Sequence, residues 1–168
     1  MDELIAPVQV GLISDTHITN EKTRIPRQAI EALQGVDLIL HAGDIDARTV
    51  LDELEILSPV LAAEGDDDWI EDTRVKPRQV LNIGGLRLGL IHDFGYWGET
   101  KEIVEKLFGT SLDIVVYGHT HQPRITTSDG ILLIASDSCT VPCRGYHSSV
   151  GILKIQNGQS QAHIVELN

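Results

Sequence analysis

At 168 residues the chain has the length of one domain with a sizeable core, and 42% apolar with 23% charged residues is the balance of a globular fold. A formal net charge of −12 and a pI near 4.8 argue against broad electrostatic binding to nucleic acid or anionic membrane, which needs clustered Lys and Arg. Two cysteines, Cys139 and Cys143, are too few for a disulfide framework, and no run of about 18 apolar residues predicts a membrane span. The acidic start, Met1-Asp2-Glu3, lacks the basic and apolar regions of a signal peptide, so a cytoplasmic location is expected.

Val8 to Ser14 reads as a short buried strand ending at Asp15. After a polar loop, a helix is predicted from Pro26 to Leu33, with proline suited to its first turn. Leu38 to His41 is a second strand ending at Gly43-Asp44, and a helix near Arg48 to Leu57 follows. Val60 to Ala63 is a third strand, ending at Gly65-Asp66-Asp67-Asp68. The pattern then changes. Gln79 to Ile83 and Leu86 to Ile91 flank Gly84-Gly85, a hairpin signal, and His92 follows. Thr100 to Phe108 looks helical, with Thr100 as cap and Gly109 as stop. Val115-Val116-Tyr117 runs into Gly118-His119-Thr120-His121. Arg124 to Ser128 and Ile131 to Ala135 flank Asp129-Gly130, and Ser149 to Gln156 and Gln161 to Leu167 flank Asn157-Gly158. The βαβαβ first half and hairpin-rich second half predict a parallel sheet packed on a more antiparallel one, with helices outside and one domain over residues 1–168.

The strand ends carry the chemistry. On a helix, His119 and His121 would diverge, whereas in a loop past a strand end two imidazoles can converge on one site. Asp15, His17, Asp44, Asp66 and His92 stand at the ends of the other apolar runs, where parallel sheets collect ligands. Mixed imidazole and carboxylate donors suit manganese, iron or zinc better than magnesium or calcium. Seven side chains are too many for one ion and about right for two, with one carboxylate bridging. Two such ions can clamp the attacking and leaving oxygens of an in-line displacement.

Asp15-Thr16-His17, Gly43-Asp44, Gly65-Asp66-Asp67-Asp68, His92 and Gly118-His119-Thr120-His121 resemble, in order, the five blocks of the calcineurin-like metallophosphoesterases, closest to their small phosphodiesterase branch. The resemblance implies an α/β fold, a four-layer αββα sandwich of two mixed sheets flanked by helices. It implies that Asp15, His17 and His121 hold a first ion, that Asp44 bridges, and that Asp66, His92 and His119 hold a second. Manganese is the first expectation, and iron, zinc, nickel or cobalt would also suit. Catalysis, by attack of a metal-bound hydroxide on a small phosphodiester, is expected to turn on Asp44, Asp66 and His92. A nucleic-acid polymer is disfavoured as substrate by the negative charge.

Three departures from the family pattern matter. Asp66 stands where the family has Asn, which removes one positive charge and an amide donor from the site, so tight metal binding but weakened turnover is expected. The same Gly-Asp pairing resembles the retromer subunit of this superfamily, and a catalytically weak protein-interaction scaffold is the alternative function. Asp67 replaces a histidine that can protonate the leaving group in other members, which favours a leaving group needing little protonation. In the tail, Ser138 and Pro142 keep their places but Arg144 comes one residue late; it is the candidate for a substrate phosphate.

Trp69, Phe94, Tyr96 and Trp97 follow directly on the site blocks and read equally as a pocket wall or as packing under loops, with Trp97 the candidate for substrate. Asp68 matches an acidic family position and is expected to support a ligand histidine. His41 reads as a buried, hydrogen-bonded histidine, while His147 and His163 match no block. The 66–72 acidic stretch lacks the glycine and terminal glutamate of a calcium loop.

Overall fold

Alternation along the first strand serves two layers at once. Val8, Val10 and Leu12 face one apolar cluster, while Ile13 belongs to another on the opposite side. The computed structural model describes residues 7–20, 22–95, 98–136 and 138–168; Tyr96 and Trp97 lie outside the described residues. In chain order the elements are β1 (Val8–Ile13), α1 (Arg27–Ala32), β2 (Leu38–His41), α2 (Arg48–Glu55), β3 (Val60–Ala63), β4 (Val75–Lys76) and β5 (Arg78–Ile83). They continue as β6 (Leu86–Ile91), α3 (Lys101–Phe108), β7 (Ile114–Tyr117), β8 (Arg124–Ser128), β9 (Ile131–Ala135), β10 (Ser149–Gln156) and β11 (Gln159–Glu166).

Two sheets form, in the orders β11-β10-β1-β2-β3-β4 and β5-β6-β7-β9-β8. The layers follow from the three apolar clusters. Ala29 of α1 and Leu33 at its C-terminal end, with Val50, Leu51 and Leu54 of α2, cover one face of the first sheet. Leu12, Leu40 and Leu153 meet Leu88, Leu90, Val116 and Ile134 between the sheets. Val104 of α3 packs with Val115, Tyr117 and Leu133 on the outer face of the second. This is the four-layer αββα sandwich, in the α/β class expected from the sequence.

The sheets divide differently from the predicted parallel and antiparallel halves. The β10–β11 hairpin joins the first sheet antiparallel to β1, and β6, β7 and β9 run parallel in the second. The reason lies in β10, whose first five residues are all buried; a strand covered on both faces needs an interior place, here beside β1. The two-residue β4 carries no sequence signal.

Register sets the site. Ile13 pairs with His41, His41 with Ala62, and Tyr117 with Ala135, so parallel strands of each sheet end level. Asp15 N–H then donates to the Gly43 carbonyl at 2.9 Å, and Gly118 N–H to the His92 carbonyl at 2.9 Å. Between the sheets, the buried Gln79 amide donates to the carbonyls of Ala62 (2.7 Å) and Arg74 (2.9 Å). Arg74 also bonds Asp52 at 2.6 Å, Glu55 at 2.7 Å and Asp72 at 2.6 Å, fastening the segment after Asp66 to α2. That guanidinium holds the Asp72 carboxyl down at about 2.

Candidate metal centre

Six residues at these strand ends adopt left-handed backbone. Asp15, His17, Asp44, Asp46, His119 and His121 have φ between 45° and 70°. The conformation costs an L-residue roughly 1–2 kcal/mol, and such strain clusters at functional sites. Its effect here is to curl three separate loops so that their side chains converge. Gly118, whose φ is not positive, serves by lacking a side chain. A Cβ there would sit 2.8 Å from Asp15 Oδ2 and 3.0 Å from the Ala42 carbonyl. At Gly65 a Cβ would collide with the backbone N and Oδ1 of Asp44. Both glycines let ligand-bearing loops approach one another.

The converged side chains form two outer groups, and a third group, Asp15, Asp44 and His92, spans them. In the first, Asp15, His17 and His121 offer donor atoms to one point. His17 Nε2 is 3.3 Å from His121 Nε2, which is 3.4 Å from Asp15 Oδ1. In the second, Asp66, His92 and His119 converge, with Asp66 Oδ2 at 3.0 Å from His119 Nδ1 and 3.8 Å from His92 Nε2. Asp44 Oδ2 lies 3.5 Å from His17 Nε2 and 3.4 Å from His92 Nε2. All seven residues named from the sequence are therefore brought together.

The groups behind the imidazoles decide which nitrogens are free. His92 Nδ1 donates to the Ala42 carbonyl at 2.7 Å and His121 Nδ1 to the Val141 carbonyl at 2.5 Å. A carbonyl can only accept, so in each neutral ring Nε2 keeps a bare lone pair. His17 Nδ1 sits 3.3 Å from Asp46 Oδ2, which favours the same tautomer. His17 Nε2 and His121 Nε2 face each other across 3.3 Å, and in the tautomers these partners favour a bound cation would satisfy both lone pairs at once. His92 Nε2 is buried with no hydrogen-bond partner among the described residues, and burial raises the Asp15 carboxyl above the ordinary range, against the lowering effects of the Ser14 hydrogen bond and then the facing imidazoles. A divalent ion bound by these donors would satisfy the orphaned nitrogen and restore the carboxylate. The residues present fit the ions the sequence implies.

Supports come from places the sequence points to only in part. Asp68 was expected behind a ligand histidine; instead its carboxylate accepts from the N–H groups of Ile45 (2.7 Å), Asp46 (2.9 Å) and Gly65 (2.8 Å). It clamps the Asp44 and Asp66 loops together through their backbones. His41 is buried as expected. Its Nδ1 accepts from Gly43 N–H, its Nε2 bonds the Thr16 hydroxyl at 3.1 Å, and burial pushes the imidazole down to about 4. Ser138 Oγ donates to the Asp15 carbonyl and Thr140 Oγ1 to that of Thr16, both at 2.6 Å, so the tail loop braces the first block. Asp46 and Asp93 are carboxylates beside the imidazoles that went unnamed in the sequence. Their signal was position alone, two residues past Asp44 and one past His92. Nothing in a sequence marks the Ala42 and Val141 carbonyls.

Of the substrate candidates, Arg144 is exposed, with no hydrogen bond or ion pair to any described residue. It directly follows Cys143, whose N–H donates to the His121 carbonyl at 3.0 Å. Trp97 lies outside the described residues. Phe94 packs edge-on against Tyr117 in the core, whereas Trp69 is 93% exposed. An open cavity of about 390 Å³, lined by Asp66, Asp93, Gly95 and His119, adjoins the second group.

Comparison with known proteins bears on the fold and the family. The family model described as the calcineurin-like phosphoesterase superfamily domain matches residues 8–158. A probable metallophosphoesterase of Methanothermobacter thermautotrophicus is 36% identical over 93% of this chain and 91% of its own. A phosphodiesterase of Methanocaldococcus jannaschii is 25% identical over 95% of this chain and 100% of its own. Among solved structures, wild-type Vps29 of Entamoeba histolytica, complexed with zinc, superposes with a TM-score of 0.68 at 21% identity, covering 96% of this chain and 100% of that one. With two ligand groups at the strand ends of an αββα sandwich and a family match over nearly its whole length, the chain belongs to the calcineurin-like phosphoesterase superfamily.

Proposed function

We propose that this metallophosphoesterase is a phosphodiesterase that works through a pair of divalent ions, one held by Asp15, His17 and His121, the other by Asp66, His92 and His119, with Asp44 shared. The observation that carries the reading is Asp44 Oδ2, which faces an imidazole of each group at 3.4–3.5 Å. When bound, such a pair supplies Lewis acidity toward phosphoryl oxygens and a nucleophilic water at neutral pH. The chain's own residues do the rest. Asp15, fixed by the His119 N–H at 3.1 Å from each of its carboxylate oxygens, locks the first block to the last. Arg144, on the loop bonded to His121, is the proposed cation for a substrate phosphate, and Trp97 the proposed wall for its leaving group.

Charge argues for a diester. Asp15, Asp44, Asp46, Asp66 and Asp93 all stand at this centre and outweigh the charge of two divalent ions, so the loaded site tolerates the single charge of a diester better than the dianion of a phosphate monoester. The name of one archaeal relative supports the same choice. After chelation and reloading with Mn²⁺, the chain should hydrolyse a chromogenic aryl phosphodiester at least about tenfold more efficiently than the matching monoester, one tenfold step being about 1.4 kcal/mol. Equal rates, or a preference for the monoester, would contradict the charge argument. Asp66 favours one second reading, a scaffold with a retained metal site; two ions bound per chain with no hydrolysis of either ester would select it.

A further inference from the structure

We propose that Asp46 is a positioning residue that sets the tautomer of His17 and thereby the affinity of one of the two ion positions; this rests on the two-ion reading above. His92 and His121 lean on backbone carbonyls, which the fold holds in place whatever the side chains. Among the described residues, His17 has no such carbonyl partner. Its Nδ1 faces the Asp46 carboxylate at 3.3 Å, while its Nε2 faces His121 and Asp44. His119 is supported more loosely, with Asp93 at 4.0 Å from its Nε2.

Asp46 is built to hold this position. Its backbone sits at φ 66°, and its N–H is fixed to Asp68 at 2.9 Å. Its side chain is only 14% exposed, so water competes weakly for the carboxylate. A carboxylate behind a ligand imidazole fixes the proton on the far nitrogen and raises the basicity of the near one, and losing such a partner typically weakens metal binding roughly 10–100-fold. The backbone clamp to Asp68 does not involve the Asp46 side chain and survives its replacement.

The test is Co²⁺ titration of the full chain, read by the visible absorption of the bound ion and by competition with a chelator. Asp46→Gly and Asp46→Asn both tolerate a positive φ, which alanine would resist. Asp46→Gly should lower the affinity of one cobalt position by roughly 10–100-fold and leave the other unchanged. Asp46→Asn, whose amide oxygen can still accept, should lose less. Wild-type affinity at both positions in Asp46→Gly would overturn the proposal. So would an equal loss at both positions with a lowered Tm of the metal-free protein, the mark of a merely structural role. A wild-type chain that takes up no cobalt would sink the two-ion reading itself, and this assignment with it.

Discussion

Asp44→Asn should reduce metal-dependent phosphodiester hydrolysis by at least about a hundredfold, beyond the roughly 10–100-fold typical of losing an outer partner of a metal ligand. The reason is geometric. Asp44 Oδ2 faces an imidazole of each group at 3.4–3.5 Å, so removing its charge acts on both groups at once. The substitution is otherwise mild: asparagine tolerates the φ of 55°, and an amide oxygen can still accept the Asp67 N–H that Asp44 Oδ1 receives at 3.4 Å. Metal-free Tm should therefore stay close to wild type. Steady-state kinetics at saturating Mn²⁺ checks the activity, and a loss below tenfold would mean that Asp44 is not shared between two ions.

Asp66→Asn should act in the opposite direction, raising kcat at saturating Mn²⁺ by about tenfold. Asp66 Oδ2 lies beside His119 and His92, and its side chain is 61% exposed on the wall of the open cavity. A full charge at about 4–5 Å is worth up to roughly 4 kcal/mol at an effective dielectric of 20. Solvent at so open a position screens most of this, leaving about 1–2 kcal/mol. The amide would return that share of positive potential to an incoming phosphate and add a donor toward its oxygens. The same change should weaken binding of the ion held with His92 and His119, so the comparison requires full loading. An unchanged or lower kcat with both ions bound would show that Asp66 is not what limits turnover.

The site was more legible in the sequence than the supports that hold it. Asp15, His17, Asp44, Asp66, His92, His119 and His121 each stand at the end of an apolar run, and parallel register must bring such ends to one edge of a sheet. The layers were legible from the order of elements, βαβαβ and then hairpins, whereas the division of Leu12 and Ile13 between opposite faces of β1 is seen only in the structure. The C-terminal hairpin was harder. Asn157-Gly158 announces its turn, but whether β10 joins the first or second sheet depends on which edge is free for a strand buried on both faces.

Outer partners were least legible. Asp46 reaches His17 only because both residues adopt left-handed backbone, a choice made by tertiary convergence rather than by local propensity. The carbonyls of Ala42 and Val141, which settle the tautomers of His92 and His121, belong to backbone that every residue has. Asp68 looked like a partner for a side chain and is a partner for three N–H groups instead, because buried loop donors must be satisfied by something.

The most direct test of the two-ion centre is a crystal structure of the Mn²⁺-loaded chain with anomalous data collected near the manganese edge. Two peaks about 3.5–4 Å apart are expected, one among Asp15, His17 and His121, the other among Asp66, His92 and His119, with Asp44 reaching both. A single peak, or manganese bound outside these seven residues, would contradict the account.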